Sequence, residues 1–201
     1  MAIQADVTDP DQVKEMVKTG SQAFGPIHIL VNNAAYQCNL PFPEYEAYHL
    51  QKIFATNLHG YITCIQAVVP GMKEMGYGRI INVSSVHAKR PTNFDPGYSM
   101  TKGAIKMLTR ECALELAPYH INVNSVEYGY VDIGVKSGNP RSVITRAMKE
   151  QEHKFRWSSL CLSGQVYGPR EAAPIVAFLA SEESAMVNGS SVRADTGTIL
   201  T

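Results

Sequence analysis

The chain has 201 residues, of which 45% are hydrophobic and 18% are charged, as expected for a single globular domain. Lysine plus arginine and aspartate plus glutamate balance at 18 each, and neither a basic stripe nor an acidic tail is present. No apolar run reaches the roughly 18 residues of a spanning helix, and the first residues do not resemble a signal peptide. Composition therefore argues against nucleic-acid and membrane partners.

The four cysteines are widely separated and form no Cys-x-x-Cys pair, which argues against a zinc knuckle or a thioredoxin-type site. They are Cys38, Cys64, Cys112 and Cys161. Scattered free thiols fit a reducing compartment, so the sequence predicts a cytoplasmic protein whose cysteines fill the core.

Short apolar runs alternate with helical patterns along the chain. The first predicted strand is Ala2–Val7, and Pro10 near the first turn starts the helix that follows. Later strands are predicted at Ile27–Val31, Arg79–Val83, Ile121–Val126 and Ser191–Ala194, and helices within 44–75, at Tyr98–Leu116 and at Arg170–Ala180. This alternation predicts an α/β fold, in which helices cover both faces of a parallel sheet.

Polar residues stand at the carboxyl ends of four of the predicted strands. They are Asp6, Asn32-Asn33, Ser84-Ser85 and the segment Glu127–Asp132. Open parallel sheets bind ligands beyond the carboxyl ends of their strands, so these side chains are the candidate site.

Tyr98 and Lys102 stand four residues apart in a predicted helix, and therefore share one face. A nearby ammonium favours the ionised form of a phenol and would lower its pKa, which would suit Tyr98 to acid–base work. Tyr48 and Lys52 repeat the spacing but have no strand-end serine upstream, so context favours Tyr98 and Lys102.

These residues together resemble the short-chain dehydrogenase/reductase family. The family pattern is Asn-Asn-Ala-Gly after a strand, an Asn in the next long helix, a strand-end Ser and then Tyr-x-x-x-Lys. The corresponding residues here are Asn32-Asn33-Ala34-Ala35, Asn57, Ser85, and Tyr98 with Lys102. The resemblance spans essentially the whole chain and implies a Rossmann-like doubly wound parallel sheet.

The resemblance also implies a role for each matching position. Tyr98 would exchange a proton with the substrate, Ser85 would hold the substrate oxygen, Lys102 would tune Tyr98 and bind the nicotinamide ribose, and Asn57 would fix a water near Lys102. The NAD or NADP cofactor would be lined by Asp6, Asn33, Ala34 and Gly129, and also by Tyr98 and Lys102. The reaction would be hydride transfer between that cofactor and a carbon bearing oxygen.

A structural interpretation stands beside each of these roles. Asp6 could cap the helix after Thr8, Asn33 could bond within its loop, and Asn57 could bond nearby backbone. Ser85 could be a turn residue, and Tyr98 with Lys102 could be an ordinary pair on a helix face.

The sequence departs from the family pattern in three places. The glycine-rich phosphate turn is missing, so we expect a single incomplete domain over residues 1–201 that lacks the first two strands of the family. A fragment, a mis-called gene start or a decayed gene would explain this, and the residues that separate NAD from NADP would be absent. Tyr128-Gly129 replaces Pro-Gly, with Ile133 where the family often has Thr, and Asp195-Thr196-Gly197 replaces Asp-Gly-Gly.

Residues 134–168 are rich in glycine, serine and charge and would form the substrate lid, with an amphipathic piece near 143–155. Its basic and aromatic residues would suit a sugar or polyol substrate, or would form a packed flap; they are His153, Phe155, Arg156 and Trp157. The stretch from His87 to Tyr98 most resembles sugar and sugar-acid dehydrogenases of the family.

Two hypotheses follow. The first is an NAD(P)-dependent oxidoreductase that interconverts a secondary alcohol and a ketone. The second is a catalytically inactive remnant that acts only through association. Under both, the resemblance implies a homo-oligomer formed through helices near 45–75 and 98–118. No metal site is indicated.

Overall fold

The computed structural model describes residues 1–91, 95–133, 162 and 164–200. The helices are α1 (Pro10–Phe24), α2 (Ala47–Phe54), α3 (Gly60–Met75), α4 (Pro96–Leu116) and α5 (Pro169–Ala180), and a π-helical turn at Ala55–His59 joins α2 to α3. Short 3-10 turns lie at Phe42–Glu44, Val86–Ala88, Ala117–Tyr119, Glu182–Ser184 and Thr198–Leu200. The predicted helices are all present, with ends that differ by a few residues.

The sheet of the described residues has four parallel strands in sequence order. They are β1 (Ile29–Asn32), β2 (Gly78–Ser85), β3 (Ile121–Tyr128) and β4 (Ser191–Ala194). The two central strands pair along their whole length, from Gly78 opposite Ile121 to Ser85 opposite Tyr128. The predicted α/β architecture with a parallel sheet is therefore confirmed.

Helices cover both faces of the two central strands. Ile80 and Val123 pack with α3 and α4 in one core cluster. Ile81 and Val126 pack with Leu179 of α5 in another. Because neighbouring residues of a strand point to opposite faces, the adjacent pair Ile80 and Ile81 anchors both layers.

Local sequence signals set the ends of the helices. The Asp9 side chain accepts hydrogen bonds from the backbone of Asp11 and Gln12, and Pro10 fills the first helical position of α1. Gly76 ends α3 with a φ of 62°, and the Tyr77 amide returns to the Met72 carbonyl at 3.2 Å. A left-handed glycine is the common way to end a helix, so Gly76 stops α3 as its sequence position predicts.

The predicted strand Ala2–Val7 is wrong, because the structure has no strand there. A strand needs a neighbour to accept its backbone hydrogen bonds, and no described strand lies beside this segment. Asp6 instead forms a turn: its side chain accepts from the Thr8 amide at 2.9 Å, and its carbonyl accepts from the Asp9 amide. Val7 lies on Gly60, where an added Cβ would approach the Val7 side chain to 2.8 Å.

Strand β1 has only β2 beside it among the described residues. Leu30 packs into the core shared by α3 and α4, whereas Ile29 and Val31 on the opposite face are 46% and 42% exposed. Among the described strands, β1 therefore forms an apolar edge of the sheet.

Most of the predicted lid, 134–168, lies outside the described residues, as does the amphipathic piece near 143–155. Within the described part of the chain, no helix has both the length and the apolarity that crossing a bilayer requires.

Candidate active site

The carboxyl ends of β2 and β3 bring Ser85 beside Tyr128. The Ser85 hydroxyl donates to the Tyr128 carbonyl at 3.4 Å and accepts from the His87 amide at 3.2 Å. Its neighbour Ser84 faces the other way and donates to the carbonyl of Lys102 in α4 at 3.0 Å. Of the two strand-end serines, Ser85 is therefore the one at the candidate site.

Tyr98 lies in the first turn of α4, and its phenol forms a hydrogen bond with the Ser85 side chain. Burial raises the pKa of Tyr98 to about 12, and the hydrogen bond with the Ser85 side chain acts in the opposite direction. The carboxylate of Asp95 adds to the increase. The phenol is therefore held in its protonated form, which suits a proton donor.

Lys102 lies one turn further along α4 and is 1% exposed. Its Nζ donates to the Val83 carbonyl at 2.7 Å and lies 5.2 Å from the centre of the Tyr98 ring. Burial lowers the pKa of Lys102 to about 8. An ammonium has three donors, so the hydrogen bond to Val83 leaves capacity for a ligand hydroxyl.

The pKa of Tyr98 moves opposite to the sequence-based expectation. We expected Lys102 to lower it, but removal from water dominates at both residues. Desolvation disfavours both the phenolate and the ammonium. It therefore raises the pKa of Tyr98 and lowers that of Lys102, and both changes favour the neutral form.

Asn57 is fully buried in the π-helical turn and connects the loop after β1 to α4. Its Oδ1 accepts from the Tyr36 amide at 2.6 Å, and its Nδ2 donates to the Tyr36 carbonyl at 2.9 Å and to Thr101 Oγ1 at 3.2 Å. Thr101 in turn donates to the Tyr98 carbonyl. This arrangement goes beyond a local backbone bond, and π-helical turns are frequent at functional sites.

The other predicted cofactor residues are arranged less closely. Asn33 and Ala34 are exposed in the loop that follows β1. Gly129 follows β3 and lies against Asp195. A Cβ at residue 129 would approach the Asp195 Cα to 2.9 Å, so only glycine allows the end of β3 and the segment at Asp195 to lie this close. Asp6 is exposed just before α1. Its carboxylate accepts a hydrogen bond from the Thr8 hydroxyl, which stabilises the turn that leads to Asp9, the N-cap of α1.

A buried carboxyl beside Tyr98 was not singled out from the sequence. Asp95 is 1% exposed and accepts a short hydrogen bond from Gln37, and the His87 ring lies edge-on to Tyr98 with centroids 5.5 Å apart. Burial raises the pKa of Asp95 to about 7, and the Gln37 side chain and the Tyr98 backbone N–H act the other way. Burial, followed by the charge of Lys102, lowers the pKa of His87.

The sequence does not distinguish Asp95 from an ordinary helix cap, because it precedes Pro-Gly at the start of a helix. Only its burial reveals it, and sequence spacing does not report burial.

Other polar candidates have structural roles. Glu127 is buried at the end of β3, with its carboxylate 2.7 Å from Lys106 Nζ and 3.7 Å from Arg193 Nε. In the repeated motif, Lys52 lies over the Tyr36 ring and Tyr48 is 57% exposed, as expected of a plain helix face. The described residues contain no cluster of three or more metal-ligating side chains.

Known proteins resemble this chain over nearly its whole length. The profile of a family described as enoyl-(acyl carrier protein) reductase matches residues 1–198. A 3-alpha-(or 20-beta)-hydroxysteroid dehydrogenase of Mycobacterium tuberculosis is 36% identical, over 98% of this chain and 70% of the relative. A 5-keto-D-gluconate 5-reductase of Escherichia coli is 30% identical, over 100% of this chain and 76% of the relative.

Among solved structures, a gluconate 5-dehydrogenase from Burkholderia cenocepacia in complex with NADP and tartrate superposes with a TM-score of 0.84. It is 29% identical, over 98% of this chain and 74% of that one. The profile matches nearly the whole sequence and the solved structure shares the fold, so the chain belongs to the short-chain dehydrogenase/reductase family.

Proposed function

We propose that this chain is an NAD(P)-dependent oxidoreductase that interconverts a secondary alcohol and a ketone, acting on a sugar or polyol. The observation that carries the proposal is the placement of Ser85, Tyr98 and Lys102 around one point beyond the carboxyl ends of β2 and β3. The proteins named gluconate 5-dehydrogenase and 5-keto-D-gluconate 5-reductase support the choice of a polyhydroxylated substrate.

The residues present fit a nicotinamide cofactor. Lys102 retains donors for a ribose hydroxyl beside the buried phenol. Asn33 and Ala34 are exposed at the carboxyl edge of β1, and Gly129 keeps the end of β3 close to Asp195. Asp6, whose pKa is lowered by its hydrogen bonds to Thr8, remains ionised and would meet the adenine end.

Each side chain then has a defined task. In ketone reduction, Tyr98 Oη donates its proton to the carbonyl oxygen while the Ser85 hydroxyl holds that oxygen. Lys102 binds the ribose, and Asn57 keeps the loop after β1 against α4. When bound, NAD(P)H supplies the hydride to the carbonyl carbon, so the ketone gains one hydride and one proton to become the alcohol.

The surface of α4 supports the proposed homo-oligomer. Met100, Met107 and Leu114 follow one another at intervals of seven residues and are 47%, 52% and 75% exposed. Residues seven apart lie on nearly the same side of a helix, so these three form an apolar stripe. Such stripes favour association, and a second copy of α4 would bury this one.

The test combines cofactor titration with turnover. We expect saturable heat on titration with NADH or NADPH, and turnover on a panel of sugars and polyols. Tyr98→Phe should lower kcat by about 10²–10⁴, the usual contribution of a general acid, and should change cofactor affinity far less, because the aromatic ring is kept. Tyr48→Phe, in the repeated motif, is the matched control and should keep full activity. A folded chain that neither binds cofactor nor turns over would overturn the proposal and favour association alone.

A further inference from the structure

Two buried polar atoms beside Tyr98 have no hydrogen-bond partner, namely Asp95 Oδ1 and His87 Nδ1. Asp95 Oδ2 is already used by Gln37, and His87 Nδ1 lies 3.9 Å from that oxygen, which is beyond hydrogen-bond distance. Leaving such buried atoms without a partner destabilises the folded chain, because they have given up their hydrogen bonds to water. Native proteins rarely keep two such atoms side by side unless a ligand or water satisfies them.

The position of the pair points to the substrate. The His87 amide donates to Ser85 Oγ, and the His87 ring packs edge-on against Tyr98. Ser85 and Tyr98 are the groups proposed to hold the reacting oxygen. Asp95 and His87 therefore lie next to the place of the carbons that flank the reacting carbon.

We propose that Asp95 and His87 form a subsite for a second hydroxyl of the substrate, on a carbon adjacent to the one that reacts. The inference rests on the proposed function and assigns residues to one feature of its sugar or polyol substrate, the hydroxyl of an α-hydroxy ketone or vicinal diol. One hydroxyl group satisfies both orphaned atoms, because it donates its proton to Asp95 Oδ1 and accepts from the N–H of a neutral His87.

The same chemistry predicts what the subsite rejects. A plain ketone leaves both buried atoms unpaired, and a site built around a hydroxyl discriminates strongly against the analogue that lacks it. A carboxylate on the flanking carbon would lie against the carboxylate of Asp95, and like charges in a buried site repel.

The test compares reduction of 2-butanone with that of 1-hydroxy-2-butanone and 3-hydroxy-2-butanone. We expect the wild-type chain to prefer at least one hydroxy ketone, and Asp95→Ala to lower the ratio of kcat/KM values, hydroxy ketone over ketone, by about tenfold. Asp95→Asn keeps the side-chain shape if the alanine variant folds poorly. Asp11→Asn, on a side chain that is 92% exposed, is the charge control.

A purely structural role for Asp95 would lower all rates together and leave the ratio unchanged, and that result overturns the subsite. If the wild-type chain reduces neither class, binding of the three ketones is measured by saturation-transfer NMR. Preferential binding of a hydroxy ketone that Asp95→Ala removes would retain the subsite while the proposed function fails. Equal binding by both proteins overturns the subsite, whatever the activity.

Discussion

Lys102 and Tyr61 donate to the same acceptor, the carbonyl oxygen of Val83, at 2.7 Å and 3.2 Å. Both side chains are 1% exposed. Val83 therefore keeps a hydrogen bond if Lys102 is removed, and the main change on removal is the loss of a buried cation. A substitution at Lys102 can therefore lower activity without lowering stability, so its two contributions can be measured separately.

We expect Lys102→Met to abolish turnover and to raise the free energy of unfolding at pH 7 by about 1–2 kcal/mol. Moving a buried ammonium's pKa from 10.5 to about 8 corresponds to a cost of up to about 3 kcal/mol, offset by roughly 1 kcal/mol from its hydrogen bond. Thermal and denaturant unfolding of both proteins measure the difference. Lys14→Met, on a side chain that is 71% exposed, is the control and should change little.

The lowered pKa of Lys102 also predicts that the stability difference between the wild-type chain and Lys102→Met depends on pH. Between pH 8 and the usual lysine pKa, the native chain releases the Lys102 proton while the unfolded chain retains it, so wild-type stability rises relative to Lys102→Met. Measurements at pH 7, 8, 9 and 10 should show the gap closing. A gap that stays constant across this range would mean that Lys102 is not desolvated in the native state.

Asn57→Ala should destabilise the chain by about 2–4 kcal/mol, because it removes three hydrogen bonds and leaves the half-buried Tyr36 amide and carbonyl without side-chain partners. Denaturant unfolding measures the loss. Asn33→Ala removes an exposed amide from the same loop and should leave stability within about 0.5 kcal/mol while weakening cofactor binding. Equal effects of the two variants on stability would argue against the bridging role of Asn57.

The sheet and the catalytic motif could be predicted because they depend on local patterns. Strand and helix periods place Ser85 and Tyr98 at one edge, and residues four apart on a helix must share a face. The prediction of a strand at Ala2–Val7 was wrong because a strand needs a neighbouring strand. A local sequence pattern does not show whether that neighbour is present. The π-helical turn at Ala55–His59 and the burial of Asp95 escaped prediction because both arise from packing with distant segments.

Met107→Glu should shift the chain toward smaller species in solution. The substitution places a charge in the centre of the stripe formed by Met100, Met107 and Leu114, where burial against a second copy would require its desolvation. Light scattering coupled to size exclusion measures the mass. Met186→Glu, on a side chain that is 100% exposed and outside α4, should leave the mass unchanged. A wild-type chain that is monomeric at every concentration would exclude this interface.

Thr196 is strained and marks a position where glycine should be better. Its φ of 51° lies in the left-handed region, which β-branched residues rarely adopt, and it stands where the family often has the first glycine of Asp-Gly-Gly. Relief of roughly 1–2 kcal/mol of strain exceeds the added chain entropy of glycine, about 0.5–1 kcal/mol. Thr196→Gly should therefore raise stability by up to about 1 kcal/mol, or about 2–4 °C in Tm.

Thr196→Ala is the matched control for this effect. Alanine also loses the local hydrogen bond from Thr196 Oγ1 to the Asp195 carbonyl, but it keeps the Cβ that makes a positive φ unfavourable. We therefore expect no gain from alanine and a gain from glycine, measured by thermal unfolding of the three proteins side by side. If glycine were no more stable than alanine, the turn that carries Asp195 would relax without cost, and backbone strain at Thr196 would not limit the stability of the chain.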